Sequence, residues 1–407
     1  MTINMDTTTL NINDILKTSV ERRASDIHIK VGSPPVYRID GQLTPMIEHR
    51  RLTQEDVVKL AFGMMNQGQR DRFKQKNEAD FAYGVPGLGR FRVNVFQQRG
   101  TVGLVLRSIP TKMASVEELN LPPVITKLCQ ENRGMILVTG TTGSGKSTTL
   151  ASMIDYINTT RTEHIMTIED PIEFLHRDKK SLVNQREIGM DTESFSQALR
   201  SALRQDPDII LVGEMRDFDT ISTGLTAAET GHLVLSTLHT VDASETINRI
   251  ISVFPPYQQK QVRLQLASVL KGVVSQRLMP RADGKGRVPA CEVLVVTTTV
   301  RECIIDPEKT RHLFDVIAAG TSQYGMQTFD QSLFGLYRRG FITYEEALRR
   351  SSNPDDFALR IRGITSTSDL TWEDPAMSGQ SGAKPGQDKG DTGQKDDSDF
   401  KIDRFGE

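Results

Sequence analysis

Eight consecutive residues, Gly140-Thr141-Thr142-Gly143-Ser144-Gly145-Lys146-Ser147, fit the phosphate-loop pattern G-x-x-x-x-G-K-[ST] at every fixed position. The glycines let the backbone turn tightly and aim its N–H groups at phosphate oxygens. Lys146 is expected to set a cation against the β- and γ-phosphates, and the Ser147 hydroxyl to ligate Mg²⁺. Thr141, Thr142, Gly143, Ser144, Gly145, Lys146, Ser147 and Thr148 are therefore the candidate nucleotide-binding residues, with ATP and Mg²⁺ as the implied ligands. A glycine-rich turn that matches by chance needs no particular neighbours. Here the apolar run Met135-Ile136-Leu137-Val138 reads as a buried parallel strand before the loop. Leu150, Met153, Ile154 and Ile157 recur on one face of a helix after it, and that helix points its positive dipole end at the phosphates.

Two further strands end in acids. His164-Ile165-Met166-Thr167-Ile168 runs into Glu169-Asp170-Pro171-Ile172-Glu173, at the strand end where ligands bind in open α/β sheets. Glu169, Asp170 and Glu173 read either as ordinary loop acids or as groups that hold metal-bound waters and orient a nucleophile. Ile209-Ile210-Leu211-Val212 ends in Gly213-Glu214. Gly213 stands where many phosphate-loop enzymes carry a metal-associated Asp, so Glu214 is expected to polarise the attacking water, an effect of about 10²–10⁴-fold. Leu233 to Leu238 forms another strand with His232 at one end and His239 at the other. Lone histidines are usually structural, but one beside a nucleotide can sense its terminal phosphate. We expect that of His239 and of His232. No cysteine or third histidine completes a zinc set.

Before the phosphate loop the pattern changes. Ile12, Ile15 and Leu16 suit a short amphipathic helix, and Ala24–Val31 alternates as a strand with His28 partly buried in it. Asp40-Gly41 marks a hairpin. Thr53 is placed to cap a helix through Val57, Leu60, Ala61 and Met64. Strands follow at 80–83, 90–96 and 102–107. Arg90 and Arg92 share one face of such a strand. They read either as a solvated sheet face or as ligands of nucleotide phosphates, a role that suits the guanidinium fork.

The chain has 407 residues and 37% hydrophobic residues, which implies two folded domains with packed cores. Net charge is −2, from 50 basic and 52 acidic residues, so bulk charge argues for neither nucleic acid nor an anionic membrane as partner. Cys129, Cys291 and Cys303 are few, scattered and odd in number, which favours reduced thiols over disulfides. The polar start carries no signal peptide pattern, and no apolar run reaches the length of a membrane span, so a cytoplasmic protein without membrane insertion is expected. From Pro255 the chain reads as mostly helical, with segments at Val262–Leu278, Val293–Ile305, His312–Ala319, Met326–Arg338 and Tyr344–Arg350. The last stretch, rich in Gly, Ser, Gln, Lys and Asp, reads as a disordered tail.

Taken together, GTTGSGKST, TIEDPIEF, DPDIILVGEMRD and TGHLVLSTLHT resemble, in this order, the secretion-type ATPases of type IV pili and type II secretion. ASDIHI, GRFRVNVFQQRG, LVNQREIG, ALRSALRQDPD and GMQTFD bring the resemblance closest to the pilus retraction ATPases. It implies an α/β architecture: a PAS-like α+β domain over 1–109, a linker over 110–123, a RecA-like ATPase domain with C-terminal helices over 124–365, and the tail over 366–407. It implies ATP hydrolysis in a cytoplasmic homohexamer docked under an inner-membrane platform protein, with a paralogous retraction ATPase as a further partner. In the family's terms Lys146 and Ser147 belong to Walker A and Glu214 to Walker B. Glu169, Asp170 and Glu173 form the acidic box, and His232 and His239 the histidine box. Arginines of the GRFRVN region, Arg90 and Arg92, complete the nucleotide site. One stretch departs from the pattern: Thr299–Asp306 keeps only Arg301 and Ile304 of the AIRNLIRE sequence that the family ties to retraction. This leaves an accessory motor as an alternative, beside a ring scaffold without turnover and a nucleic-acid translocase.

Overall fold

A computed structural model describes residues 11–110 and 112–362; the polar start and the expected tail, with Trp372, lie outside the described residues. The N-terminal part runs α1 (Ile12–Glu21), β1 (Asp26–Lys30), β2 (Val36–Ile39), β3 (Gln42–Pro45), α2 (Gln54–Met64), α3 (Gln67–Lys76), β4 (Glu78–Val85), β5 (Gly89–Gln98) and β6 (Thr101–Ile109). Its six strands form one antiparallel sheet in the order β3-β2-β1-β6-β5-β4. The Asp40-Gly41 turn has φ of 49° and 83°, the left-handed pair that a tight hairpin requires. Thr53 accepts from Asp56 N while Asp56 accepts from Thr53 N, a reciprocal cap that starts α2. Period-2 alternation sends Phe91, Val93 and Val95 into a core with Leu16, Tyr37, Leu60 and Leu106. The helix α3 was not legible, because QGQRDRFKQK offers Phe73 alone as a buried residue and is held by the Asn66–Gln69 capping box instead.

The second part runs α4 (Val124–Leu128), β7 (Gly134–Thr139), α5 (Lys146–Thr160), β8 (His164–Glu169), β9 (Leu182–Glu187), α6 (Phe195–Ala202), β10 (Ile209–Val212), α7 (Phe218–Glu229), β11 (Leu233–Leu238), α8 (Ala243–Ser252), α9 (Pro256–Val269), β12 (Leu270–Pro280), β13 (Arg287–Val295) and α10 (Thr298–Ile305). The helices α11 (Leu313–Ala319), α12 (Thr321–Tyr324), α13 (Phe329–Arg338), α14 (Tyr344–Arg350) and α15 (Pro354–Ile361) follow. The sheet has seven strands in the order β13-β12-β7-β11-β10-β8-β9, parallel except for the β12–β13 hairpin. In β7, Met135 and Leu137 face α6, α7 and α9, while Ile136 and Val138 face α4 and α5. Burial on both faces explains the uninterrupted apolar run, and each such side chain stabilises by about 1.5–3 kcal/mol.

The helical reading from Pro255 is corrected here. The expected helix Val262–Leu278 stops at Val269, and β12 begins at Leu270 with no Gly or Pro between them. The expected helix Val293–Ile305 divides into the end of β13 and α10. A short apolar run does not separate a buried strand from a buried helix; sheet pairing of Val273 and Val274 against Leu137 and Val138 decides it. The C-terminal helices pack Leu333, Leu336, Ala347 and Phe357 on Met279, Val288 and Ala290 of that hairpin. Val116 and Leu121, within the expected linker, pack in the core beneath β7. All three cysteines are free and buried.

Candidate nucleotide site

The strand order puts the carboxyl ends of β7, β11, β10 and β8 side by side, and one cavity of about 610 Å³ opens above them. Thr142, Gly143, Gly145, Lys146, Ser147 and Thr148 line one wall, and Glu169, Asp170, Glu173, Gly213, Glu214 and His239 line the other. The loop crosses from β7 to α5 with Gly140 at φ 140°, where a Cβ would fall 2.5 Å from Gln276 O and 2.6 Å from Ser144 Oγ. Only glycine fits such a close approach. Lys146 opens α5, is buried, and donates from Nζ to Gly140 O at 2.8 Å and Thr141 O at 3.1 Å. Burial pushes its ammonium pKa down, and the nearby Glu214 and Glu173 oppose that shift. Thr141 and Ser144 lie on the far side of the loop, in a second cavity of about 400 Å³ with Gln276, Arg287 and Arg350.

Glu214 stands two residues past β10. Its Oε1 lies 2.9 Å from His239 Nε2 and accepts a hydrogen bond from Arg216 Nε. Arg216 Nη2 is 3.4 Å from His239 Nε2, so acid, histidine and guanidinium form one cluster. Backbone bonds hold it: Gly213 N donates to Ile168 O at 2.8 Å, Met215 N to Thr237 O at 3.2 Å, and Thr237 Oγ1 to Gly213 O at 2.7 Å. The residue at 213 cannot be the metal-associated Asp of other phosphate-loop enzymes without displacement, because a Cβ there would sit 3.2 Å from Ile168 O and 3.4 Å from Glu169 Cα. Glu169 accepts from Thr167 Oγ1 at 2.6 Å and Gln185 Nε2 at 3.0 Å, and burial pushes its carboxyl pKa up. Both of its neighbours are fixed in strands, so Glu169 is an anchored acid, whereas Asp170 and Glu173 are exposed at the cavity mouth.

Three of the expected site residues lie outside this cavity. His232 is not in the cavity: it precedes β11, at the opposite end of the strand from His239, and its Nδ1 lies 2.9 Å from Ala227 O. Six residues of extended chain separate the two histidines by about 20 Å. Arg90 does not reach the phosphate loop either; its Nη2 donates to Glu187 Oε2 at 2.9 Å, tying the first sheet to β9. Arg92 is exposed and pairs across the sheet with Arg107 and Ala82. Three cavity residues had no sequence signal that singled them out. Arg216 and Arg287 are exposed charges in irregular or edge positions. His176 lines the cavity with its Nδ1 buried, and burial pulls its pKa down to about 4. For Arg216, its position two residues past the strand-end acid is the one clue available.

Comparison with known proteins places this geometry in a family. The model of the type II/IV secretion system protein family matches residues 5–311. The type IV pilus retraction ATPase PilT of Pseudomonas aeruginosa is 47% identical over 352 residues, covering 86% of this chain and 100% of PilT. The type IV pilus ATPase PilU of the same organism is 42% identical over 353 residues, covering 87% of this chain and 92% of PilU. Among solved structures, the pilus retraction motor PilT with bound ADP superposes with a TM-score of 0.78 at 50% identity, covering 85% of this chain and 98% of that one. The Legionella pneumophila ATPase DotB superposes with a TM-score of 0.71 at 28% identity, covering 89% and 98%. The chain belongs to the type II/IV secretion system protein family.

Proposed function

We propose that the chain is an ATP-hydrolysing motor that powers retraction of a type IV pilus. The observation that carries the reading is the convergence of the phosphate loop, Glu214 and His239 on one cavity, in a chain that spans the whole of a PilT relative. Lys146 holds the β- and γ-phosphates, helped by the N-terminus of α5. Glu214 takes a proton from the attacking water, and His239, which touches the same carboxylate, registers whether the terminal phosphate is present. Glu169 holds the strand-end loop in place through Thr167 and Gln185.

The donor set suits a hard cation. Ser147, Asp170 and Glu173 offer oxygen atoms along the cavity. Among the described residues no group of three or more His, Cys, Asp or Glu is placed to hold a metal, so Ser147, phosphate oxygens and water would hold Mg²⁺. Bound there, Mg²⁺ supplies neutralisation of phosphate charge.

The motor works as a cytoplasmic homohexamer against an inner-membrane platform protein, and no helix among the described residues is long and apolar enough to cross a membrane. Nucleotide binding closes the angle between the two domains about the 110–123 linker, and loss of terminal-phosphate contacts releases it. Arg90 and Arg92 meet nucleotide after such a movement, Arg90 leaving Glu187. The divergent Thr299–Asp306 stretch, which forms most of α10, favours a second reading, an accessory motor working beside a retraction ATPase as a PilU-like paralogue.

The test is made in cells whose own copy is replaced by Lys146→Ala. Surface pili are expected to persist while labelled pili stop shortening. Pili that shorten at the unchanged rate contradict the reading.

A further inference from the structure

Arg216 occupies an unusual position for a surface arginine. Its side chain is 72% exposed, yet it lines the nucleotide cavity beside Glu214, Asp217 and His239. Its backbone is fixed on both sides, by Met215 N on Thr237 O and by Asp217, whose side chain caps α7 at Thr220 N. Only the long flexible stem is free to move. The guanidinium donates to Glu214 Oε1, the same oxygen that faces His239 Nε2.

That contact opposes the role proposed for Glu214. The guanidinium fills a lone-pair direction on Oε1 that a water would use. The acid that follows β10 is thus covered on that oxygen. A group that competes for the guanidinium must be more anionic than one carboxylate and must offer paired oxygens. The terminal phosphate of a nucleoside triphosphate has both properties, and the arginine fork matches such oxygens two at a time. A nucleoside diphosphate lacks that group.

We infer that Arg216 exchanges Glu214 for the terminal phosphate of a bound nucleoside triphosphate, so that the carboxylate is freed for water only when that phosphate is in place. The exchange rests on the ATPase reading above and assigns Arg216 a direct contact with the reacting group. It also makes affinity selective: Arg216 adds to triphosphate binding and adds nothing to diphosphate binding, which is the differential contact a nucleotide-driven switch needs.

The experiment measures binding of ADP and of a non-hydrolysable ATP analogue to the purified full-length chain and to Arg216→Ala and Arg216→Lys. Arg216→Ala is expected to weaken the analogue about tenfold or more, the loss of a charged hydrogen-bond pair, while ADP affinity stays within about twofold. Arg216→Lys, which keeps charge and stem, restores part of the analogue's affinity and guards against a folding defect in the alanine variant. An ion pair with a purely structural role moves both ligands together or neither, and that result overturns the exchange. Wild-type protein that hydrolyses ATP while Arg216→Ala keeps the analogue's full advantage sinks the exchange alone. Wild-type protein that binds neither nucleotide sinks the ATPase reading and the exchange with it.

Discussion

The two ends of the motor sheet carry the same kinds of side chain and do different things with them. At the carboxyl end Lys146, Glu214 and His239 surround a cavity of about 610 Å³. At the amino end Arg161, Glu163 and His232 surround one of about 280 Å³. Arg161 is saturated: Nη1 donates to Cys129 O at 3.0 Å and Glu131 O at 2.8 Å, and Nη2 to Glu163 Oε1 at 2.8 Å and Asn132 Oδ1 at 3.3 Å. Among the described residues Lys146 has only two backbone carbonyls of its own loop as hydrogen-bond partners. His232 bonds a helix carbonyl, whereas His239 touches the Glu214 carboxylate at the cavity wall. Residue type does not distinguish the two constellations. Strand direction does, because helix N-termini and loop N–H groups gather at one end only.

Five variants break or sharpen that contrast. The largest effect is expected from Lys146→Ala, with ATP turnover falling about 10²–10³-fold, as when one donor to a developing phosphate charge is lost. Steady-state phosphate release measures it. Glu292 tests whether the carboxyl-end loops depend on their support. It is buried in β13, accepts from Ala243 N at 2.8 Å where α8 starts just past His239, and burial pushes its pKa up from 4.5 to about 7. Between those values the folded chain holds a proton that the unfolded chain releases, so stability falls as pH rises through that window. The full shift is on the order of 3 kcal/mol at 1.36 kcal/mol per unit. Glu292→Gln is expected to remove that slope from denaturant melts taken between pH 5 and pH 7, in steps of about one unit.

Arg161→Ala comes next. It strands partly buried carbonyls and is expected to lower stability by about 1–3 kcal/mol while the KM for ATP stays unchanged. Urea unfolding beside a KM determination separates the two. The smallest effect compares the histidines: His239→Ala lowers kcat about tenfold, near 1.4 kcal/mol, and His232→Ala leaves it unaltered within about twofold. Equal effects of the two substitutions on kcat contradict the contrast.

Much of this was readable from local pattern. The phosphate loop is a fixed-spacing motif whose every residue type has a mechanical reason, and β7, α5 and β10 flank the site as the apolar runs require. The antiparallel first sheet was legible because one buried face gives strict alternation, as in Phe91, Val93 and Val95. The β12–β13 hairpin was not, because no Gly or Pro separates Val269 from Leu270, so the pattern of α9 runs on into β12, whose strand character comes from pairing with β7. Arg90 was ambiguous for a related reason. Its partner Glu187 is 97 residues away, and nothing along the chain says that β5 and β9 meet. Arg216 was missed because an exposed arginine in a loop has no periodicity to reveal it. Gly213, noted as a departure, is explained only by the 3.2 Å approach of Ile168 O in the neighbouring strand.

The central claim is that Glu214, at the carboxyl end of β10, takes the proton from water during ATP hydrolysis. The direct measurement is the single-turnover rate of ATP cleavage by Glu214→Gln at saturating nucleotide, with ADP affinity determined on the same protein. The account predicts a rate about 10²–10⁴-fold below wild type with ADP affinity preserved. Cleavage at the wild-type rate by a variant that binds ADP normally would contradict it.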